Sequence, residues 1–406
     1  MITRRVAMGG AFAIAAGAPA TAGCAGHGAW LEPPSISPYV ETLHDQQFAS
    51  AAAIAGALLR EAQESLGVPS LTAAVAMEGR LVWSGAVGYA DLGARRPASP
   101  GTVYRIGSTS KAVTSTVLAR LVDEGRIGLD QPIGTLVADP LPNPSWAALT
   151  PRMLSSHTAG LPGYDQNRDL WGLYQTIVKR RRFTSVRESL EVFDDTPLLH
   201  APGERYLYSS FDVNLLSYAL EAVGGASYLD LVRSRVTMPL DLRTPVADGQ
   251  GGSDSATFYV QGHAGRWQRW REVDLSEKWA SGGLAATSAD LARMGVAWLD
   301  PQFIRPQTRT TFWTEQKLNN GQPNGDNYAI GWRVNRSPLV LGPDRPLVSV
   351  NHAGVSQGAL SWLNIYPELG LAIALNTNAR GREIRPFLRK EPPMARPFAE
   401  AWLRRG

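Results

Sequence analysis

Apolar residues recur along the chain with two different periods. The windows 46–65 and 110–124 carry them at helical spacing, which predicts two amphipathic helices. The windows 71–77 and 81–87 are strand-like, and Glu78–Gly79 between them predicts a hairpin turn. The N-terminal part of the chain is therefore predicted to form a helix, a pair of strands and a second helix.

Strand-like runs return near the C-terminus, after a middle region rich in loops and short helices. The predicted strands are 328–334, 347–351, 360–366 and 371–376. The further predicted helices are 214–223, 290–299 and 394–404. Because strands occupy both ends of the chain, we expect an α+β fold in which one antiparallel sheet is built from both chain ends. Helices would flank this sheet, and a helical subdomain would be inserted between its two halves.

Changes in composition divide the chain into three parts. We assign residues 1–24 to an export signal, 25–44 to a proline-containing linker and 45–406 to a single domain. Within that domain, an α/β subdomain is expected at about 45–105 and 300–406, and the helical subdomain at about 106–299.

The composition is that of an ordinary globular protein, with 44% apolar residues and a net charge of +4. The basic run 179–182 has no accompanying aromatic pattern, so we expect no nucleic-acid partner. The histidines show no paired metal spacing, and no phosphate-binding or dinucleotide fingerprint occurs. We therefore expect neither a metal nor another cofactor. A monomer is the favoured oligomeric state.

The first residues have the pattern of an export signal. Arg4–Arg5 precede a segment, 6–26, that contains no charged residue and ends in small residues, which resembles a twin-arginine signal. Cys24, the one cysteine of the chain, follows Thr21-Ala22-Gly23 in a partial lipoprotein pattern, whereas ordinary cleavage after Ala22 fits as well. Both alternatives predict a periplasmic or cell-envelope protein, and the first adds a membrane tether through lipidated Cys24.

The strongest chemical pattern is a serine followed three residues later by a lysine. Ser108 and Lys111 lie at the start of the helix predicted at 110–124, so their side chains share one face. A helix N-terminus supplies backbone N–H groups and positive potential, which help a lysine accept the proton of a serine hydroxyl. This spacing alone also fits a helix cap beside an exposed lysine.

A second serine lies in a competing nucleophile pattern. Gly354, Ser356 and Gly358 match the G-x-S-x-G elbow, which requires a strand, a sharp turn and then a helix. The residues that follow, 359–365, alternate like a strand instead. Ser108 is therefore the preferred nucleophile.

Several further blocks occur in an order that resembles serine β-lactamases and penicillin-binding proteins, with the class C β-lactamase-related group as the nearest branch. The matching blocks are Val103 to Lys111, Leu154 to Pro162, Pro202 to Ser210, Ser281 to Leu284 and Asn351 to Gly354. That group also contains D-alanyl-D-alanine carboxypeptidases and esterases. The resemblance implies a β-lactamase/DD-peptidase-like fold for 45–406 and serine hydrolysis through an acyl-enzyme.

The resemblance also implies a role for individual residues. Ser108 would be acylated, Lys111 would relay its proton, and Tyr208 would share the acid–base work. The backbone N–H groups of Ser108 and Val355 would form the oxyanion hole. Gly354 would allow the strand to approach the substrate closely.

Two positions depart from the family pattern and bear on the substrate. Ser210 replaces the usual Asn, and His352, which would bind the substrate or its carboxylate, replaces the Lys of class C β-lactamases. Both changes favour a peptidase or an esterase, acting on a small-molecule or peptide acyl substrate, over an efficient β-lactamase. The alternative is a weakly catalytic or non-catalytic module that binds a peptide or a cell-wall fragment.

Overall fold

An antiparallel sheet joins the two ends of the chain. The computed structural model describes residues 26–32, 34, 36–177, 181–262, 265–380 and 384–405. The strands are β1 (Gly26–Leu31), β2 (Tyr39–Leu43), β3 (Ser70–Met77), β4 (Arg80–Asp91), β5 (Arg96–Pro97), β6 (Tyr104–Arg105), β7 (Val246–Ala247), β8 (Tyr259–Gln261), β9 (Trp267–Trp270), β10 (Leu284–Ala286), β11 (Arg333–Ser337), β12 (Leu347–Ser356), β13 (Ala359–Tyr366), β14 (Leu371–Thr377) and β15 (Ala379–Arg380).

Helices cover both faces of this sheet and fill the middle of the chain. They are α1 (Ala49–Leu66), α2 (Ser110–Asp123), α3 (Pro151–Ser155), α4 (Leu170–Ile177), α5 (Val186–Ser189), α6 (Ser210–Gly224), α7 (Tyr228–Val232), α8 (Trp279–Gly282), α9 (Ser288–Ala297), α10 (Pro306–Phe312), α11 (Arg385–Leu388) and α12 (Glu391–Leu403). The turn Gly107–Thr109 is a 3-10 helix that leads directly into α2.

The main sheet has the strand order β11-β12-β13-β14-β3-β4-β2. Its two halves meet where β14 pairs with β3, with Ala374 opposite Ala74. β3 is buried along its whole length because helices cover both of its faces. This arrangement confirms the predicted α+β fold with one antiparallel sheet built from both chain ends.

Two hydrophobic cores lie on opposite sides of the sheet. One core packs α1 and α12 against the sheet and contains the large side chains Trp83 and Phe398. The other lies between the sheet and the helices of the middle region, and its apolar side chains come from α2, α6 and α9. The second core supports the start of α2 and the turn before it, which together carry Lys111 and Ser108 next to the sheet.

The predicted linker 25–44 is wrong in part, because it contains two strands. β1 pairs with β9, and β2 forms the edge of the main sheet beside β4. The sequence of β2 is polar because an edge strand is only partly buried, so its hydrophobic pattern is weak. Glu41 anchors β2 by accepting hydrogen bonds from Trp83 Nε1 (2.8 Å) and from the Tyr39 hydroxyl (2.6 Å).

The strand predicted at 328–334 is also wrong over most of its length. The strand β11 begins only at Arg333, and the residues before it form a buried turn in which Ala329 N–H donates to the Trp332 carbonyl (2.7 Å). Gly331 has a φ of +75° there and contacts Ser115 of α2. The apolar pattern of this segment therefore reflects burial in a turn and not strand alternation.

Three further predictions concern the middle region, the export signal and the division into subdomains. The middle region contains the strands β7 to β10 as well as helices. The export signal predicted at 1–24, with Cys24, lies outside the described residues, and the division into two subdomains stays a prediction. Within the part of the chain that is described, no helix has the length and apolar character needed to cross a bilayer.

A buried carboxyl group lies between α12 and the sheet. Glu391 is 1% exposed, and its carboxyl accepts hydrogen bonds from Trp362 Nε1, Asn364 Nδ2 and the Tyr366 hydroxyl. Burial raises the pKa of Glu391 from 4.5 to about 7, although these donors act in the opposite direction. The folded protein therefore binds a proton here more tightly than the unfolded chain does.

We predict that Glu391 makes the protein less stable as the pH rises from about 4.5 to 7. The free energy of unfolding should fall by about 3 kcal/mol across this interval because the folded carboxyl has the higher pKa. Glu391→Gln should remove this dependence, measured by urea unfolding at several pH values. Glu61→Gln, at an exposed position on α1, is the control. Equal pH dependence in all three proteins would contradict the prediction.

Candidate active site

Ser108 lies in a turn that is fixed on two sides. The turn follows β6, where Ile106 N–H donates to the Leu284 carbonyl (3.0 Å), and Leu284 N–H donates to Ser110 Oγ (3.2 Å). Gly107 has a φ of +50°, a left-handed conformation that glycine adopts without steric cost. These contacts hold Ser108 at the N-terminal end of α2, the position that the sequence pattern predicted.

Lys111 extends from the first turn of α2 toward Ser108 and is 1% exposed. Its Nζ lies 3.3 Å from Ser108 Oγ and 3.4 Å from Ser210 Oγ, and it donates to the Ser281 carbonyl at 2.7 Å. The three polar contacts described here for this buried amine are thus to neutral oxygen atoms. The structure brings the predicted serine–lysine pair within hydrogen-bond distance.

Tyr208 and Ser210 come from the segment that begins α6. Ser209 is the N-cap of this helix, because its Oγ accepts a hydrogen bond from Phe211 N–H (3.1 Å), and it donates to the Pro162 carbonyl (2.5 Å). The Tyr208 ring lies against the lysine, with its centroid 4.9 Å from Lys111 Nζ. The phenol predicted as an acid–base group is therefore adjacent to the serine–lysine pair.

The strand β12 passes directly beside the turn Gly107–Thr109 that carries Ser108, called the nucleophile turn below. A side chain at Gly354 would overlap the Ile106 carbonyl oxygen, so only glycine allows this approach. The backbone of Val355 is equally close to the turn, since a Cβ added at Gly107 would lie 2.8 Å from Val355 N. The two peptide groups predicted to form the oxyanion hole thus come from adjacent segments.

His352 lies on the same strand, but its ring has internal partners. Nδ1 donates to the Ala353 carbonyl (2.8 Å), and Nε2 lies 2.9 Å from the Tyr328 hydroxyl, which donates to it. Burial, with a smaller effect of Lys111, lowers the pKa of His352 to about 3. The imidazole is neutral, and both ring nitrogens are hydrogen-bonded within the protein, and the contact of His352 with the substrate or its carboxylate stays a prediction.

The competing elbow pattern does not form an elbow. Ser356 is 6% exposed at the end of β12, and Gly358 has a φ of +73° in the turn to β13. Because a strand and not a helix follows this turn, the backbone cannot present Ser356 as a nucleophile elbow would.

Sequence reasoning missed three residues that complete the site. Ser281 contributes a backbone carbonyl to Lys111, and it lies in a block that the sequence had singled out for its family pattern only. Tyr328 reaches the site from the turn that was predicted to be a strand. Asp212 lies buried in α6 and contacts His157, which is 55 positions earlier in the chain. No local sequence pattern indicated that Tyr328 or Asp212 would make these contacts.

A group of acidic side chains lies outside this site. Within the described ranges, Asp169, Asp194 and Asp195 have carboxylate oxygens within 4.8 Å of one another. Burial, with Asp169 as a further cause, raises the pKa of Asp194 to about 6. None of these residues is among the contacts of Ser108 or Lys111 described above.

Comparison with known sequences finds relatives among serine beta-lactamase-like proteins. The chain is 27% identical over 427 residues to the serine beta-lactamase-like protein LACTB, mitochondrial, of Bos taurus, which covers 84% of this chain and 76% of the bovine protein. The Homo sapiens protein of the same name is 27% identical over 392 residues and covers 77% of this chain and 71% of the human protein.

Solved structures share the fold. The D-amino acid amidase from Ochrobactrum anthropi SV3 has a TM-score of 0.68 at 21% identity and covers 88% of this chain and 100% of its own. The octameric penicillin-binding protein homologue from Pyrococcus abyssi has a TM-score of 0.65 at 22% identity and covers 87% and 77%. The family model described as Beta-lactamase matches residues 55–390. Since this match covers most of the chain, the protein belongs to the Beta-lactamase family.

Proposed function

We propose that the protein hydrolyses an amide or ester through an acyl-enzyme formed on Ser108. The family and its structural neighbours are those of serine hydrolases. The observation that carries the proposal is the buried Lys111 amine, 3.3 Å from Ser108 Oγ and against the Tyr208 ring. A buried amine in contact with a serine hydroxyl is the arrangement that activates a serine nucleophile.

The reaction would proceed in two steps. In the first, Ser108 Oγ bonds to the substrate carbonyl carbon, and its proton passes by way of Lys111 and Tyr208 to the leaving amine or alcohol. The N–H groups of Ser108 and Val355 would stabilise the oxyanion. In the second, water adds to the ester carbonyl, gives up a proton to the same pair and releases the acid, which restores the Ser108 hydroxyl.

The substrate is proposed to be a small peptide or an amino acid amide, with simple esters as further substrates. The neutral His352 ring supplies no positive charge at the position where class C β-lactamases carry Lys. Ser210 is short and contacts Lys111, so it offers less reach toward an acyl side chain than Asn would. Among the solved structures with this fold are D-amino acid amidases, whose names support the same class of substrate.

We also propose that the enzyme works in the cell envelope. The Arg4–Arg5 pair and the uncharged segment after it support export, and Cys24 supports a lipid tether.

Ser108→Ala should abolish labelling by a fluorophosphonate probe and lower p-nitrophenyl ester hydrolysis by at least ~10³-fold, because it removes the nucleophile. Ser356→Ala, at the buried serine of the elbow pattern, is the matched control and should keep both activities. Mass spectrometry of the labelled protein should place the probe on Ser108.

Two outcomes would contradict this assignment in different ways. Loss of labelling in Ser356→Ala but not in Ser108→Ala would move the nucleophile to β12. Failure of the wild-type protein to react with any acyl substrate or probe would instead favour a binding module of the same fold.

Gly354→Ala should slow acylation by at least ~100-fold, the effect expected when an oxyanion donor is displaced. The added methyl group would overlap the Ile106 carbonyl oxygen and push β12 away from the nucleophile turn. Gly128→Ala is the control, since its added methyl group would make only ordinary contacts with Gln131. Stopped-flow measurement of acylation checks the prediction, and equal rates in the two variants would refute the close-approach argument.

Penicillin should acylate Ser108 slowly, and the adduct should persist for longer than the acyl-enzyme formed from a p-nitrophenyl ester, because no cation at residue 352 binds the lactam carboxylate. Intact-mass measurement over time follows both species. Rapid formation and release of the penicillin adduct would show a β-lactamase instead.

A further inference from the structure

His157 lies directly behind the catalytic phenol and is completely buried. Its backbone has a φ of +60°, a left-handed conformation that is uncommon for any residue other than glycine. Such a conformation is unfavourable and persists where surrounding contacts require it. The contacts that hold His157 in this conformation involve Tyr208 and residues close to it.

The segment that carries Tyr208 is bonded to His157 on both sides of the tyrosine. Leu207 N–H donates to the His157 carbonyl at 2.8 Å, and Ser209 N–H donates to His157 Nδ1 at 3.3 Å. The two rings also pack together, with their centroids 4.3 Å apart. One residue therefore fixes the backbone before and after Tyr208 as well as the plane of its ring.

Asp212 holds the histidine ring from the other side. Its Oδ2 lies 2.9 Å from His157 Nδ1, and both side chains are completely buried. A backbone N–H can only donate, so the bond from Ser209 requires Nδ1 to be an acceptor. With the single lone pair of Nδ1 directed toward both Ser209 N–H and Asp212, the shared proton lies on the Asp212 carboxyl and the ring proton on Nε2, which has no hydrogen-bond partner among the described residues. The pair is then a neutral acid and a neutral imidazole.

The electrostatic surroundings agree with this assignment. Burial raises the pKa of Asp212 well above its ordinary value and outweighs the opposite effect of Lys111. Burial also lowers the pKa of His157, and neighbouring positive charge adds to the effect. The titratable groups packed around the pair or coupled to it are Lys111, Tyr206, Tyr208, Tyr328, Arg333 and His352.

We propose that His157 is a positioning residue that holds the Tyr208 phenol beside Lys111, and that Asp212 holds His157 as a neutral hydrogen-bond donor. The inference rests on the proposed acyl transfer at Ser108. The Tyr208 ring is held between the His157 ring, 4.3 Å away, and Lys111 Nζ, 4.9 Å from its centroid. A displacement of the ring of about 1 Å is enough to cost on the order of 100-fold in rate.

Two substitutions at His157 test separately the contribution of its hydrogen-bond acceptor Nδ1 and that of its aromatic ring. His157→Phe keeps an aromatic ring but removes Nδ1, and it should lower the acylation rate by ~10- to 100-fold. His157→Asn keeps an acceptor near the position of Nδ1 and tolerates the left-handed backbone, so it should stay within about 10-fold of wild type. Equal loss in both variants, with folding verified by circular dichroism, would overturn the role of the acceptor.

A double-mutant cycle with Tyr208→Phe tests whether His157 acts through the phenol. If it does, His157→Phe should change the residual rate of the Tyr208→Phe protein by less than about threefold, although it is costly in wild type. Multiplicative effects of the two substitutions would show that His157 merely supports the fold, and the proposal would fail.

Asp212 provides a test that does not depend on the His157 variants. Asp212→Asn keeps a neutral donor, so it should lower the acylation rate by less than about threefold and should not shift the pH profile. Asp212→Leu removes the donor and should lower the rate by ~10-fold. A shifted pH profile in Asp212→Asn would show that wild type carries a carboxylate there and would overturn the neutral pair. All rates are compared with wild type, so an unreactive wild-type protein would contradict the proposed function and not this inference.

Discussion

The site depends on the contact between two backbones, the turn that carries Ser108 and the strand β12. Gly354 meets the Ile106 carbonyl oxygen with no room for a Cβ, and Gly107 meets Val355 in the same way. Side chains cannot separate these segments, so two peptide groups from distant parts of the chain lie at a fixed spacing. Preorganised donors of this kind would stabilise a developing oxyanion without rearrangement in the proposed reaction, and the rest of the fold holds this contact in place.

The sheet and the second core maintain that contact from opposite sides. β12 is fixed by its pairing with β13, and the turn by the bonds of Ile106 and Ser110 to Leu284. The segment containing α8 and β10 therefore serves two purposes, because its Ser281 carbonyl also receives the lysine amine. A small displacement of this segment would move the turn of Ser108 and the Lys111 amine together, which preserves their relative geometry.

Sequence reasoning succeeded where contacts are local or where a pattern has a chemical meaning. The hairpins of the main sheet join strands that are neighbours along the chain, and Ser108 and Lys111 are one helical turn apart. It failed for the edge strand β2, whose residues are all exposed or only partly buried and so show little periodicity, and for the turn around Gly331, where a run of buried apolar residues resembles a strand. His157 and Asp212 are 55 residues apart in the sequence, and neither residue type by itself predicts a buried partner.

The buried groups around Lys111 are kept neutral, and this neutrality matters for the chemistry. A carboxylate facing an amine favours its charged form, and a cationic imidazole repels that form. Burial opposes both effects, because it raises the pKa of Asp212 well above its ordinary value and lowers that of His352 to about 3. The polar contacts described for Lys111 are instead hydrogen bonds to the oxygen atoms of Ser108, Ser210 and Ser281. Hydrogen bonds to neutral oxygen atoms, and not ion pairs, thus hold the lysine beside Ser108, as the proposed proton relay requires.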